Sequence, residues 1–326
     1  MDRSEHAFHL QEGDTLVEIS MATICGSDLH THLGRRSCPT PAVLGHEGVG
    51  VVLQLGQKRD PSLLGQRVTW TLTDSCGHCA PCAQWQLPQK CDSLFKYGHA
   101  SLEEGQGFAG CFASHIVLRK GTAIFEIPDV VSDAVAVPAN CALATMVAVV
   151  DALSQEHQTV LIQGAGLLGL YGAALLHAQG KQVLIADLEP HRVKLAEKFG
   201  AEACPERLQP NSMDAVIEVA GTSAVIAEGI RVLRPGGFYG LAGLVHPESA
   251  LNLTGEQLIR KCLTIRGFHN YAAANLAEGL QFLEDHRATY PWEELVSDPM
   301  SLRRLDEAFE LAASRQWSRV AVSPKI

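Results

Sequence analysis

The segment TVLIQGAGLLGLYGAALLHAQG, Thr159 to Gly180, constrains the fold of this chain more than any other. A short apolar run, TVLIQ, meets a glycine turn and passes at once into a helical pattern from Leu167 to Gln179. A strand that feeds a helix through so tight a turn is half of a βαβ unit. The texture then repeats: KQVLIAD before RVKLAEKFG, DAVIEVAG before a helix through AVIAEGIRVLRPGG, and finally FYGLAGL. Such alternation predicts right-handed crossovers and a parallel sheet covered by helices on both faces.

Within the turn, Gly164, Gly166 and Gly169 stand in G-x-G-x-x-G spacing. The first glycine permits the turn, the second lets the backbone approach a pyrophosphate, and the third allows close helix packing. The helix opened by Leu167 and Leu168 then points its N-terminus at the phosphates. Asp187 ends the next strand, where a carboxylate accepts hydrogen bonds from ribose hydroxyls and repels a 2′-phosphate, so NAD is expected over NADP. Arg192 lies close enough in sequence to soften that preference, while His191 and Lys194 read as a solvated helix face. Residues 141–270 are therefore expected to form a Rossmann-type, doubly wound dinucleotide domain.

Before about residue 135 the texture differs. Short apolar runs, TLVEIS, GVGVVLQL, QRVTWTL and FASHIVL, are separated by Gly, Pro and Asp clusters, the pattern of a β-rich domain with long loops. After LTIRGFHN come two helical patterns, ANLAEGLQFLEDH and LRRLDEAFELAAS, and a last β-like run, RVAVS. This tail is too short to stand alone, so residues 1–140 and 271–326 are expected to form one domain interrupted by the other.

The balance of 26 basic against 36 acidic side chains, a formal charge of −10, opposes binding to nucleic acid or an anionic membrane. No apolar run is expected to approach the roughly 18 to 20 residues that span a bilayer, and the N-terminus, MDRSEHAFHLQEGD, is too polar for a signal-peptide core, so a cytoplasmic location is expected. In that compartment the ten cysteines read as metal ligands or buried thiols rather than disulfides. Cys76, Cys79, Cys82 and Cys91 follow C-x₂-C-x₂-C-x₈-C spacing, which brings four thiolates onto one cation and closes its shell. An iron–sulfur cluster also takes four thiolates, but an isolated lobe (about 73–95) beside a nucleotide domain favours structural zinc. The stretch CGSDLHTHLGRRSCPTPAVLGHEG brackets a second candidate, with Cys25 and His46 at its ends and Asp28 and Glu47 beside them. Those residues read either as half of a metal site or as a polar loop holding a buried cysteine. Nothing local joins Cys141, in PANCALATM, to them.

CGSDLH, GHEGVG, the four-cysteine lobe and the glycine turn with its Asp, in this order, resemble the zinc-dependent medium-chain alcohol dehydrogenase superfamily across nearly the full chain. The resemblance implies a GroES-like β-rich catalytic domain plus the Rossmann-type domain, and reversible hydride transfer between an alcohol carbon and NAD. It implies Cys25, His46 and Cys141 as ligands of a catalytic zinc with a position left open, Glu47 close behind the metal, and Asp28 orienting His46. Ser27 and His30 then carry the substrate proton outward. Two zinc ions per chain, a pyrophosphate contact from Arg319, and a homodimer or dimer of dimers built on the LTIRGF strand are implied with them. His32, His78 and His99 match no role.

TICGSDLHTHLGRR, LPQKCDSLFKYGH and NCALAT are similar, more narrowly, to a subgroup proposed to act in phosphonate metabolism. That resemblance implies a small phosphonate-bearing alcohol or aldehyde, with Arg35, Arg36 and Lys96 as its cations. A polyol or simple secondary alcohol is the alternative substrate. A zinc-free reductase of enones or quinones and an NAD-sensing zinc protein without turnover are the alternative functions. The sequence also departs from the superfamily. The short N-terminus is expected to lack an edge strand, the stretch between FGAEAC and MDAVIEV to reduce the parallel sheet, and the last structural cysteine follows a gap of eight where seven is usual.

Overall fold

The computed structural model describes residues 9–246 and 249–326; the start of the polar N-terminus, residues 1–8, lies outside them. Two compact units result, Met1–Cys141 with Tyr271–Arg287 and Trp292–Ile326, and Ala142–Asn270 with Ala288–Pro291.

The first unit runs β1 (Thr15–Ile24), α1 (Gly26–His32), β2 (Glu47–Leu55), β3 (Arg67–Trp70), β4 (Thr73–Asp74), α2 (Ala80–Ala83), β5 (Phe95–Lys96), β6 (His115–Leu118), β7 (Ile124–Glu126) and α3 (Asp133–Ala136). The second runs α4 (Ala144–Val150), β8 (Thr159–Gln163), α5 (Leu167–Ala178), β9 (Gln182–Ala186), α6 (Pro190–Glu197), β10 (Glu202–Ala203), β11 (Met213–Glu218), α7 (Ile226–Val232), β12 (Leu233–Leu241), α8 (Gly255–Lys261) and β13 (Thr264–Gly267). The chain then returns to the first unit as α9 (Ala273–Asp285), β14 (Met300–Ser301), α10 (Leu305–Ala313) and β15 (Val320–Ser323).

In the first unit the main sheet has the order β14-β15-β1-β2-β3-β7, with β6 also on β1. β1 lies in its middle, so Val17, Ile19 and Ile24 are buried, packed with Val52, Trp70, Ile116 and Phe309 in one core. Two registers matter for the site. Thr23 stands opposite Glu47 across β1 and β2, and Ile24 opposite Val320 across β1 and β15. The small β4–β5 pair closes the base of the four-cysteine lobe.

In the second unit six parallel strands take the order β10-β9-β8-β11-β12-β13, the doubly wound arrangement whose crevice opens at the first strand's carboxyl end. The expected loss from this sheet is corrected. Among the described residues the sheet keeps six strands, and what is shortened is the connection, which runs from the two-residue β10 to β11 without a helix. The helix expected through AVIAEGIRVLRPGG stops at Val232, because proline and two glycines cannot sustain it, and LRPGG opens β12 instead.

One further expectation is overturned. Asp133–Val150 is long and apolar enough to cross a membrane, yet 72% of it is buried inside the protein, as the core helix of a globular fold requires. Its middle, Ala139–Leu143, is a π turn that contains Cys141.

Candidate metal centres and nucleotide site

The register of the first sheet assembles the dispersed site. β1 ends at Ile24, leaving Cys25 to begin α1; β2 begins at Glu47, leaving His46 just outside it; and the residue before β15 is Arg319. The π turn adds Cys141. One ligand atom from each of Cys25, His46, Glu47 and Cys141 lies within 4.8 Å of the other three. The structure thus joins the thiol that no local pattern could place.

Asp28 serves both ends of this cluster. Its Oδ2 accepts from the Cys25 amide at 2.9 Å, and its Oδ1 lies 3.3 Å from His46 Nδ1, the contact expected of a carboxylate that fixes a ligating imidazole. Burial opposes charge on His46, but Asp28 and the Cys25 thiolate outweigh it and hold the imidazole up at about 10. The hydrogen bond from Cys141, with the nearby Arg319 and His46 charges, brings the Cys25 thiol well below its usual range despite burial. A thiolate, a second thiol, an imidazole and a carboxylate converging in a buried space form a donor set that suits zinc.

Glu47 is fully buried. Burial pushes its carboxyl up to about 7 against the opposing pull of Arg319. It accepts from Thr23 Oγ1 at 2.6 Å and from Arg319 Nε at 2.8 Å and Nη2 at 2.9 Å. Arg319 Nη2 also donates to Cys25 Sγ at 3.4 Å. Arg319, for which the resemblance implies a pyrophosphate contact, has its guanidinium buried against Glu47 and Cys25, where two anionic groups hold it. Thr23 carries no signal in the sequence, because a threonine inside a strand is ordinary until its cross-strand partner is known.

Ser27 Oγ lies 3.5 Å from His46 Nε2, and His30, one turn along α1, is exposed. The adjacent arginines divide. Arg35 is exposed, whereas Arg36 is partly buried and close enough to Lys96 and His99 to disfavour their charged forms. Burial first, and Arg36 after it, lowers the Lys96 pKa, and Lys96 senses the Cys25 and Cys141 thiols. The His99 ring sits 5.2 Å from that of His46, its Nδ1 2.9 Å from the Tyr97 carbonyl. Burial brings His99 down to about 2, so it stays neutral.

The four-cysteine lobe brings the Cys76, Cys79, Cys82 and Cys91 sulfurs within 4.8 Å of one another, with Cys79 3.4 Å from Cys82 and 3.8 Å from Cys91. Thiolates about 2.3 Å from a tetrahedral ion stand roughly 3.8 Å apart, so the separations fit one zinc. The Cys76 amide donates to Cys91 Sγ at 3.2 Å and the Cys79 amide to Cys76 Sγ at 3.4 Å, which orients the sulfurs inward. All ten cysteines are free thiols.

In the second unit each glycine of the turn has its own reason. Gly164 has φ +112°, and a Cβ there would meet the Ala220 amide at 2.8 Å. Nothing lies within 4 Å of a Cβ on Gly166, which leaves the approach for a phosphate open. On Gly169 a Cβ would collide with the Gly164 carbonyl. Gly166 caps α5, whose first turn carries Leu167 and Leu168. Asp187, just past β9, accepts from the Ala165 amide at 2.8 Å and from the Glu189 amide at 3.0 Å, which sets its carboxylate beside the turn. Arg192 lies on α6, which follows directly.

Known proteins carry the same architecture. Residues 11–129 match the alcohol dehydrogenase GroES-like domain, and residues 168–285 match the zinc-binding dehydrogenase domain. An L-threonine 3-dehydrogenase from Colwellia psychrerythraea is 30% identical over 280 residues, covering 80% of this chain and 78% of its own. The crystal structure of an alcohol dehydrogenase from Thermotoga maritima superposes with a TM-score of 0.89 at 29% identity, over 97% of this chain and 93% of that one. A zinc-binding dehydrogenase structure from Sinorhizobium meliloti, bound to NADP, shares the fold with a TM-score of 0.85 at 24% identity, over 97% and 93% of the two chains. With the two cysteine-containing clusters and the dinucleotide turn in place, these likenesses identify the chain as a dehydrogenase with zinc and nicotinamide-cofactor sites, a member of the zinc-dependent medium-chain alcohol dehydrogenase superfamily.

Proposed function

We propose that this chain is an NAD-linked dehydrogenase that interconverts a small alcohol and its carbonyl product, and that the alcohol bears a phosphonate or similar anion. The carrying observation is Lys96 close to the Cys25 and Cys141 thiols, with Arg36 close to Lys96 in turn. With two thiolates on a divalent ion, Glu47 paired to Arg319 and Asp28 beside His46, that centre keeps about one negative charge, less than Arg36 and Lys96 together bring. Arg36 and Lys96 are then surplus positive charge in a chain whose formal charge is −10, and a guanidinium is suited to an oxyanion.

Cys25, His46 and Cys141 would hold the catalytic zinc, with Glu47 as a further buried carboxylate at its back. Zinc bound there supplies Lewis acidity toward the substrate oxygen and lowers the pKa of the alcohol. The remaining work belongs to the chain. Asp28 fixes the His46 ring; Arg319 neutralises Glu47 and stabilises the Cys25 thiolate. Ser27 Oγ accepts the substrate proton as its own hydroxyl proton leaves toward His30, which is exposed on the same face of α1 and passes a proton to solvent. Gly164, Gly166 and Gly169 seat the pyrophosphate, and Asp187 takes the ribose hydroxyls, which favours NAD. A second zinc in the four-cysteine lobe would be structural.

The single test is initial-rate oxidation of phosphonate alcohols, L-threonine, polyols and simple secondary alcohols with NAD and with NADP. The highest kcat/KM for a phosphonate alcohol with NAD is the expected result. Preference for a neutral polyol or secondary alcohol would reject the anionic substrate, and preference for L-threonine would move the reading to an amino-acid alcohol. No turnover with any of them would favour an NAD-sensing protein.

A homodimer in the cytoplasm belongs to the same proposal. β13 forms the edge of the parallel sheet and is exposed along most of its length, so a second copy could extend the sheet there.

A further inference from the structure

Asn140 stands next to the third thiol and takes no part in the chemistry above. Its side chain is fully buried in the π turn. Nδ2 donates to the His46 carbonyl at 3.1 Å and to the Trp70 carbonyl at 3.1 Å. Two carbonyl acceptors fix the orientation of the amide, because the reversed group would set Oδ1 against both. That orientation leaves Oδ1 buried without a donor among the described residues. An apolar side chain of similar size would fill the space without that penalty, so packing alone does not account for asparagine here.

The other side of the same residue is also held. The Tyr271 hydroxyl, fully buried, donates to the Asn140 carbonyl and accepts from the Leu72 amide at 3.2 Å. The Asn140 carbonyl shares its planar peptide unit with the Cys141 amide, so a bond to that oxygen restrains the backbone from which the third thiol projects. Tyr271 is the first residue of the segment that returns to the first unit after the parallel sheet.

We infer that Asn140 and Tyr271 are positioning residues that clamp His46 to Cys141, fix the separation of their donor atoms, and thereby set how tightly the site holds its metal. The inference rests on reading Cys25, His46 and Cys141 as metal ligands. It assigns the clamp to two residues that never touch substrate or metal, one of them supplied by the returning chain.

The test uses the full chain, loaded with zinc or with cobalt(II), as wild type, Asn140→Ala and Tyr271→Phe. Loss of metal to excess chelator and the cobalt–thiolate absorption bands are followed. Metal at Cys25, His46 and Cys141 should leave roughly 10- to 100-fold faster from both variants, with weakened or shifted bands, while the four-cysteine lobe keeps its ion as an internal check of folding. Unchanged release and spectra in the variants, with wild type binding normally, would overturn the clamp alone. A wild-type chain that takes up no metal at these three residues would overturn the metal reading and the clamp together. Should Asn140→Ala fail to fold, Tyr271→Phe decides, because it removes one hydroxyl and keeps the ring.

Discussion

Under the proposed function, cofactor and substrate selectivity turn on Asp187 and Arg36, and each can be tested singly. Asp187 accepts from the Ala165 amide, so its carboxylate is held beside the glycine turn, where the proposal puts the ribose. Replacing it with serine removes both the hydroxyl acceptor and the charge that repels a 2′-phosphate. The ratio of kcat/KM for NAD over NADP should then fall by about 10-fold or more, on the scale of one charge-assisted hydrogen bond; an unchanged ratio would place the ribose acceptor elsewhere. Arg36→Ala should weaken binding of a phosphonate alcohol by about 1.5 to 3 kcal/mol and spare an uncharged one. Arg35→Ala is the paired control, because Arg35 is exposed where Arg36 is partly buried. Equal losses for charged and neutral substrates would defeat the anionic reading.

At the scale of elements, the central strands of the parallel sheet are tied by one carboxylate. Asp214, on β11, accepts from the Gln158 amide at 3.0 Å, the Thr159 amide at 2.8 Å and Thr159 Oγ1 at 2.8 Å, which secures the start of β8, and from Arg234 Nε at 2.5 Å on β12. Burial pulls its pKa up, but these bonds outweigh burial and hold it down at about 2, from an ordinary value of 3.8. A carboxyl depressed in the folded state contributes stability above its unfolded pKa and loses it as pH falls through the folded one. Asp214→Asn should therefore cost about 2 kcal/mol at pH 7, with the difference from wild type shrinking between pH 4 and 2. Urea unfolding across that range measures it; a deficit independent of pH would assign the effect to packing.

For the whole molecule, the two cysteine-containing clusters predict metal content. Elemental analysis should find two zinc ions per chain, falling to one with Cys141→Ser, because three ligands become two at one site while the closed four-thiolate lobe is untouched. One zinc in both proteins would reject the catalytic set. Light scattering that finds a monomer at working concentration would reject the β13 dimer.

Local pattern was enough wherever the chemistry is local. The four-cysteine lobe, the G-x-G-x-x-G turn with Asp187, and the strand–helix alternation each depend on residues close in sequence, and the structure contains all three. Cys141 is different. Its neighbourhood, PANCALATM, holds no second ligand, and a π turn delivers its thiol to Cys25 and His46. Arg319 likewise follows from the β1–β15 register, which sets it against Glu47, and Arg36 parts from Arg35 only through the packing of their loop. Hydrogen-bond registers and buried charge pairs are relations between distant segments, so tertiary structure decided them. The type and order of the elements are set by periodicity and glycine chemistry, and these the sequence determined by itself.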